Sequence, residues 1–311
     1  MPTTRTFGDL SHYCALFQKA LDKQVLAGAT SAWMEGNAGQ VKYNGGASIK
    51  IPSIVTSGLG DYSRQNGYAT GSVSFGYQTM TMEQDRSTSF VLDSMDVDET
   101  NFVANAGAVM STFQTDNVIP EIDAYRYSKL AALIKLGKNG GTSEDGRFGE
   151  YTPAAATIVS EIKNQIDKIK DIAGDISLVC MISRMNLSLL EQATRLEKVQ
   201  FTSGNIKTEV NSIDDVPLLP VPSSRFKTVY NFKDGSQANG SGFAADTTAK
   251  DINFMIVPKS APIAVSKTDK PKIITPELNQ NADAWKIAYR KFHDLWVPDA
   301  KLKVSYLSIA K

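Results

Sequence analysis

The most regular hydrophobic pattern in the chain lies between residues 102 and 113, where apolar side chains recur with helical spacing. They occupy positions i, i+4, i+7, i+8 and i+11: Phe102, Ala106, Val109, Met110 and Phe113. This 3.6-residue period predicts an amphipathic helix with one buried stripe. Acidic residues precede it, where negative charge complements the unpaired N–H groups of a helix start: Asp96, Asp98 and Glu99.

A second helix is predicted to begin near Pro120, because proline has a fixed φ that suits the first helical turn and its missing N–H costs nothing there. Its apolar face would be formed by Ile122, Tyr125, Leu130, Leu133 and Ile134. A shorter run with helical spacing covers residues 11–26. Three helices are therefore predicted before residue 135.

Residues 41–82 have the pattern of extended structure. Two extended runs flank Asn44-Gly45-Gly46, which is typical of a hairpin turn, and Pro52 limits the second run to an edge or irregular strand. Polar or small residues then alternate with Val73, Phe75, Tyr77, Thr79 and Thr81, which predicts a strand. A polar, glycine-rich tip at 56–72 joins the two long arms. Such a flap is marginally stable alone, so we expect another subunit to cover it.

The central part of the chain predicts alternating helices and strands. A polar, glycine-rich loop at 137–150 precedes Thr152-Pro153, a predicted helix start, and the helix is predicted to end at Gly174. Its narrow apolar stripe comprises Ile158, Ile162, Ile166 and Ile169. Residues 176–182 predict a buried strand and 186–193 a short helix.

The last third is richer in predicted strands. Three prolines at Pro217, Pro220 and Pro222 exclude a helix and a central strand, so 213–228 should be an edge strand or an extended segment. Residues 231–251 have the composition of a loop, and 252–258 predict a buried strand. A further strand is predicted from the alternating aromatic face at 285–289. A final strand is predicted from Leu302, Val304 and Tyr306.

Composition narrows the functional classes. The 311 residues contain 33 Lys and Arg against 33 Asp and Glu, a balance without the basic excess of proteins that bind nucleic acid tightly through phosphates. The two cysteines, Cys14 and Cys180, form no metal-binding pattern, so we expect free, buried thiols in a reducing compartment. No apolar run is long enough to span a bilayer, and the N-terminal residues lack a signal-peptide pattern.

Candidate catalytic residues are few. His293 precedes Asp294 in a predicted strand, so the two side chains should point to opposite faces and cannot act as a base and its orienter, and His12 lies near the N-terminus. The sequence contains no nucleophile elbow, phosphate-binding loop or zinc-protease motif. The acidic run at 93–99 lacks the calcium-loop spacing. We therefore expect no enzyme activity, no cofactor and no metal.

Three stretches carry a resemblance to a known family. They are the D-x-M-D-x-D-E-T, helix and V-I-P-E-I-D-A-Y-R succession ending at residue 126, the proline-rich segment 213–228, and the aromatic segment 283–296. Together they resemble the major capsid proteins of tailed bacteriophages, which have the Hong Kong ninety-seven fold. The resemblance implies an α+β subunit with an N-terminal arm (1–35), an elongated β-hairpin loop (36–89), a discontinuous peripheral domain with a long spine helix (90–149 and 259–298) and an axial domain (150–258, with 299–311).

The resemblance also implies a function and partners. The chain would self-assemble into the hexamers and pentamers of an icosahedral head enclosing double-stranded DNA without sequence specificity, with a portal protein and, because the N-terminal region leaves little room for a cleaved scaffolding segment, a separate scaffolding protein. It would be assembled in the host cytoplasm and reside in the virion, with no membrane partner. The C-terminal strands would pair with the segment before the spine helix.

Alternatives stay open at this point. An encapsulin-like nanocompartment shell would share the fold, and a cytosolic hydrolase or a binding protein is a third possibility. At the hairpin tip, Asp61, Tyr62 and Arg64 are candidates for an intersubunit contact. A solvated loop explains these three residues equally well, since exposed ion pairs contribute little.

Overall fold

A computed structural model describes residues 20–311 apart from 21–22, 26–27, 41, 44–47, 66, 94–105, 142, 145, 195, 204–205, 237–239, 269–271 and 281. The predicted acidic helix start at 96–99, Phe102, His12, Cys14, most of the predicted helix at 11–26 and the Asn44-Gly45-Gly46 turn lie outside these residues. Cys180 lies inside them, and it is buried and free as expected. None of the helices described is both long and apolar enough to cross a membrane.

The spine of the fold is one long helix in three segments: α1 (Ala106–Phe113), a π-helical turn (Gln114–Val118) and α2 (Ile119–Leu136). α-Helical bonding resumes next to Pro120, as predicted, but the expectation of a separate second helix is wrong. The Ile119 N–H donates to the Gln114 carbonyl, five residues back. Pro120 lacks an N–H and would crowd the carbonyl four residues back, and the wider π turn accommodates both defects without ending the helix.

A seven-stranded sheet lies against α2, in the spatial order β5, β16, β12, β6, β9, β8, β7. The strands are, in chain order, β5 (Phe148–Glu150), β6 (Leu178–Ser183), β7 (Glu197–Ser203), β8 (Ile206–Ile213), β9 (Val216–Val221), β12 (Ile252–Pro258) and β16 (Tyr306–Ile309). The two central strands β6 and β12 are buried along their whole length, as predicted for 176–182 and 252–258.

Helices cover both faces of this sheet, and alternate residues of β6 go to opposite cores. Val179 and Met181 pack with α2 residues such as Leu130, whereas Cys180 and Ile182 pack with α3 (Ile158–Ala173) and α4 (Arg184–Ala193). The four isoleucines of the predicted α3 stripe are all fully buried. The arrangement follows from the two-residue period of a strand between two helical stripes of 3.6-residue period.

Two predictions about element boundaries in this region are wrong. The first helical residue of α3 is Ile158, so Thr152-Pro153 lies in the preceding irregular segment; Gly174 does end the helix, with a positive φ of 74°. β9 lies between β6 and β8 despite its prolines. It is tolerated there because β8 pairs only with Val216 and Pro217, while the rest of β9 pairs with β6 alone.

A second sheet is built on the longest strand, β15 (Ala284–Trp296). It pairs with β4 (Gln84–Asp93) on one side and with β13 (Ile263–Thr268) and β14 (Lys272–Ile274) on the other. The predicted pairing of the aromatic strand with the segment before the spine helix is confirmed. Leu302 instead ends the short helix α5 (Asp299–Leu302), and Val304 precedes β16, which joins the seven-stranded sheet, so this part of the prediction is wrong.

The predicted hairpin is present. β2 (Ser48–Thr56) pairs with β3 (Val73–Thr81) along their whole length, and β1 (Lys42–Tyr43) pairs with the start of β2, so Pro52 lies beyond β1 on an open edge as expected. A smaller hairpin of β10 (Tyr230–Phe232) and β11 (Phe243–Ala245) replaces part of the loop predicted at 231–251. Its aromatic side chains pack on each other and on Tyr125, which accounts for strands in a polar segment.

The α3 stripe gives a matched test of the core. Replacing the buried Ile162 by alanine should lower the free energy of unfolding by about 2–5 kcal/mol, because it leaves a cavity between α3 and the sheet. The same change at the exposed Ile172, on the same helix, should shift it by less than about 0.5 kcal/mol. Urea denaturation of both variants measures the difference, and equal losses would show that α3 does not pack as described.

Candidate functional site

The three stretches singled out in the sequence meet around α2, where Arg225 of the second contacts Asp123 and Asp294 of the third contacts Tyr125. The buried carboxylate of Asp123 accepts hydrogen bonds from the backbone N–H and hydroxyl groups of Thr30 and Ser31, at 2.7–3.1 Å. Arg225 of the proline-rich segment pairs with the same carboxylate at 3.2 Å. A buried carboxylate is stable only when donors surround it, and here they come from two distant parts of the chain.

Arg126, one turn further along α2, is also fully buried. Its Nη2 donates to Glu35 at 2.5 Å, and Nη1 donates to the Ser31 carbonyl at 3.4 Å. Ser266 of β13 donates to the same Glu35 oxygen. Burial opposes the ionised form of Glu35, but the Arg126 guanidinium outweighs it and holds the pKa of Glu35 below its usual value. The segment 30–40 is thus held to the spine helix by charged groups.

Asp294 of β15 forms the third buried contact with α2. It accepts from the Tyr125 hydroxyl at 2.8 Å and from the Lys129 ammonium at 2.5 Å, and the Glu83 backbone N–H donates to it at 2.9 Å. Burial, together with the charge of Asp294, raises the pKa of Tyr125 far above its usual value. Asp294 therefore connects the spine helix, β15 and the residue just before β4.

Arg86 of β4 forms a further polar contact with the spine helix. Its guanidinium pairs with Glu121 of α2 at 2.6 Å and donates to the carbonyls of Lys233 and Gly242, which flank the tip of the β10–β11 hairpin. The polar residues of the V-I-P-E-I-D-A-Y-R stretch thus all have defined partners. The sequence analysis did not assign these roles. The one signal that could have indicated them is the presence of charged residues among the predicted apolar positions of the helix.

Charged side chains are buried around α2, whereas on the β2–β3 hairpin several apolar side chains are exposed. Cross-strand pairing places Pro52 opposite Tyr77, Ile54 opposite Phe75 and Thr56 opposite Val73, all on one face. Ile54 is 65% exposed, Phe75 76% and Tyr77 59%. We call this surface, formed by residues 52, 54, 73, 75 and 77, the aromatic face.

The aromatic face is exposed, and the opposite face of the hairpin base packs on the rest of the chain. At the base of the hairpin, Ile51 and Met80 lie on the other face and pack with Met82, Val265 and Trp296. The base is therefore fixed to the second sheet while the arms project from it.

The predicted tip residues lie together but face solvent. Asp61, Tyr62 and Arg64 are exposed, and the Tyr62 ring contacts the Tyr68 ring, edge to face with centroids 5.3 Å apart. Ser63 pairs with Gly67 in an isolated bridge that closes the tip. Their role in an intersubunit contact stays a prediction.

Residues with catalytic potential are not brought together in the described part of the chain. His293 is buried, and its ring lies edge to face with Tyr125 at 5.3 Å. Burial, and then the charges of Arg126 and Lys291, lower the pKa of His293 well below its usual value. No cluster of three metal-ligating side chains occurs among the described residues. Burial raises the pKa of the Cys180 thiol, which disfavours the reactive thiolate.

Asp123 gives a direct test of the buried network. Replacing it by alanine removes the acceptor of Thr30, Ser31 and Arg225 and should lower the free energy of unfolding by about 3–5 kcal/mol. Asp116, exposed in the π turn of the same helix, is the matched control and should change it by less than about 0.5 kcal/mol. Thermal and urea denaturation compare the two, and similar effects would contradict a structural role for Asp123.

His293 gives a pH-dependent test. The folded state keeps the imidazole neutral, whereas the unfolded chain binds a proton near pH 6.5. The unfolded state therefore binds more protons below that pH, and stability falls as the pH falls, by up to about 1.4 kcal/mol per pH unit. In His293→Leu this part of the loss should be absent between about pH 6.5 and 5. Urea denaturation over that range measures it, and parallel curves for both proteins would refute the assignment.

We next compared the chain with known proteins and solved structures. No known protein-family model matches the chain, and no curated protein of similar sequence is found. Solved structures do match. The mature capsid of bacteriophage PhiM1 aligns with a TM-score of 0.58 at 13% identity, covering 86% of this chain and 83% of that one. The capsid of cyanophage P-SCSP1u aligns with a TM-score of 0.56 at 12% identity, covering 87% and 85%.

A third match comes from an archaeon. The virus-like particle from Pyrococcus furiosus aligns with a TM-score of 0.52 at 7% identity, covering 93% of this chain and 96% of that one. Identities this low establish the fold and nothing finer. The chain has the α+β fold of Hong Kong ninety-seven-type phage capsid subunits, as its sequence resemblance predicted.

Proposed function

We propose that this chain is the major capsid protein of a tailed phage, a structural subunit that assembles into a closed shell. The observation that carries the proposal is the aromatic face of the β2–β3 hairpin, read together with the capsid fold. Contiguous exposed apolar surfaces of this kind are typical of interaction sites. A projecting two-stranded hairpin also gains little stability by itself. A neighbouring copy of the chain that covers the aromatic face would supply the missing burial.

The fixed base of the hairpin supports this role. Ile51 and Met82 are buried against Trp296, so the arms are held at a defined angle to the second sheet. A rigid base reduces the conformational entropy that is lost when the arms bind a neighbour. The tip residues Asp61, Tyr62 and Arg64 would then lie at the far end of the contact, where polar rim residues are usual.

We divide the subunit as the resemblance suggests. Residues 1–35 form the N-terminal arm, 36–89 the elongated loop, 90–149 with 259–298 the peripheral domain, and 150–258 with 299–311 the axial domain. Because β4 pairs with β15 over its whole length, we move the boundary between the elongated loop and the peripheral domain from residue 89 to Glu83. The seven-stranded sheet, which contains β16, forms the core of the axial domain in this division.

The finer features of the proposal concern assembly and contents. Copies of the chain would form hexamers and pentamers of an icosahedral head, with a portal protein and a separate scaffolding protein, around double-stranded DNA. The zero formal charge fits a shell that encloses DNA without binding it tightly. The subunit would reside in the virion and be assembled in the host cytoplasm.

A second candidate is an encapsulin-like shell that encloses protein. The match to the virus-like particle from Pyrococcus furiosus keeps this candidate open, because a shell that is not named as a phage capsid aligns with nearly the whole chain. The neighbouring genes separate the two candidates: portal and terminase genes support the phage head, and a gene for a cargo enzyme supports the nanocompartment.

Sedimentation velocity and negative-stain electron microscopy of the purified full chain test shell formation. Closed shells, tubes, sheets or ring-shaped capsomers are the expected products. If the chain alone stays monomeric, the candidate scaffolding protein is added. A monomer that persists at high concentration with the scaffold would overturn the proposal and favour a compact binding protein or hydrolase.

The aromatic face can be tested by charge. Changing Phe75 and Tyr77 together to glutamate should abolish assembly, because a neighbour would have to bury two unpaired carboxylates. The subunit should remain folded, since both side chains are exposed. Ser74→Glu lies on the other face of the same strand and is the matched control, expected to assemble. Particle yield is scored by sedimentation and folding by circular dichroism.

Shortening the hairpin tests the tip independently. Residues 57–72 can be replaced by Asn-Gly, because Thr56 and Val73 are a cross-strand pair that a two-residue turn closes. We expect a folded subunit that no longer assembles. Particles of normal size and yield from this variant would show that the tip is dispensable.

A further inference from the structure

A cavity of about 150 Å³ lies between the π turn of the spine helix and β15. Among its lining residues, Asn117 and Ser241 are exposed and mark its mouth, whereas Tyr289 and His293 are buried and form its floor. An apolar protein cavity of about 150 Å³ can hold one benzene ring. The space therefore suits a single six-membered ring that enters from the mouth.

One side of the cavity is apolar. Phe113, Val118 and Ile122 of the spine helix form this side. The Phe113 ring packs edge to face on the Tyr289 ring, with centroids 6.0 Å apart, so aromatic rings already border the space. An aromatic guest would gain from burial of its apolar surface and from edge-to-face contacts with these rings.

The charged residues that line the cavity are compensated by other charges. Arg86 pairs with Glu121 at 2.6 Å. Burial raises the pKa of Glu35, but Arg126 and then Lys291 lower it, so the Lys291 charge also acts on a nearby carboxylate. An ionic guest would have to lose its hydration without an uncompensated counter-charge to receive it. The cavity therefore favours a neutral guest.

A polar atom on the floor is without a partner. His293 is 2% exposed, and its Nδ1 finds no hydrogen-bond partner in the part of the chain that the structure describes. Burial lowers the pKa of His293 and keeps its imidazole neutral, with one N–H donor and one acceptor nitrogen. A hydroxyl group can donate to Nδ1 or accept from it, so it satisfies either tautomer. Because an unpaired buried polar atom is costly, such a hydrogen bond would add to affinity.

We propose that this cavity binds a phenol, with the ring against Phe113 and Tyr289 and the hydroxyl hydrogen-bonded to Nδ1 of His293. A phenol is one neutral ring with one hydroxyl, which matches the volume of the cavity, its apolar side and its unpartnered nitrogen. The bound group would connect the π turn to β15.

A neighbouring copy of the chain is one source of a phenol, and this source rests on the proposed function. Among the described residues, the tyrosines that are more than half exposed all lie on the β2–β3 hairpin and its tip: Tyr62, Tyr68 and Tyr77. Tyr68, at the tip, is 90% exposed. Each nine-residue arm spans about 30 Å, roughly the diameter of a small domain, so the tip can reach into a neighbour. A free phenolic small molecule is the other source.

Calorimetric titration of the full chain with p-cresol, which is the tyrosine side chain as a free molecule, tests the site. We expect saturable binding and a higher melting temperature in its presence. Toluene lacks the hydroxyl and should bind about fivefold more weakly. In His293→Leu this preference should disappear, because the partner of the hydroxyl is gone. The proposal is overturned if p-cresol binds neither the parent nor Tyr68→Ala, or if toluene binds as tightly as p-cresol.

Filling the cavity gives a matched pair of variants. Thr88 of β4 lines the cavity and lies opposite Tyr289 on the same face of the sheet, so Thr88→Phe should abolish p-cresol binding. Ser89→Phe lies on the other, exposed face of the same strand and should bind as the parent does. Unchanged binding in a folded Thr88→Phe would refute this location. If circular dichroism shows that Thr88→Phe does not fold, the comparison of p-cresol with toluene decides.

Tyr68→Ala separates the two sources. If a neighbouring copy supplies the phenol, particles of this variant should form in lower yield and bind p-cresol more tightly than parent particles, whose cavities are filled. If the phenol is a free molecule, the parent and the variant should assemble alike and bind p-cresol alike. A parent chain that binds p-cresol but never forms shells would count against the proposed function alone, because binding by a single subunit does not require assembly.

Discussion

The buried carboxylate of Asp123 is the constraint on which the subunit depends. A charged group inside a protein must be surrounded by donors, and Asp123 obtains them from Thr30, Ser31 and Arg225. These donors lie far apart in sequence, so satisfying one carboxylate fixes how residues 30–31, the spine helix and the proline-rich segment meet. Arg126 repeats the principle with Glu35, and the spine helix is therefore positioned by charge as much as by apolar packing.

The rest of the architecture follows from this fixed helix. One face of the seven-stranded sheet packs on α2 and the other on α3, because alternate residues of β6 and β12 enter different cores. The second sheet joins the same helix through Asp294 and Arg86. The buried carboxylates of Asp123 and Asp294 thus find partners within the chain, whereas apolar side chains of the β2–β3 hairpin are exposed. Because those apolar side chains lack burial in the single chain, we expect a neighbouring chain to cover them.

A cavity lies beside the π turn of the spine helix and next to β15, and Arg86 and His293 are among the residues that line it. The π turn accommodates both consequences of Pro120, its missing N–H and its crowding of the preceding turn, without ending the helix.

The sequence by itself determined the local elements, since side-chain periodicity reports which face of a helix or strand is buried. The α3 stripe, the buried strands β6 and β12, the alternating strand β15 and the long hairpin were all predicted in this way, and the resemblance supplied the fold. Tertiary structure alone decided that Pro120 lies within a continuous helix and that β9 is interior, because packing overrides local propensity. It alone brought Asp123 to Arg225, since a contact across 102 positions leaves no local pattern.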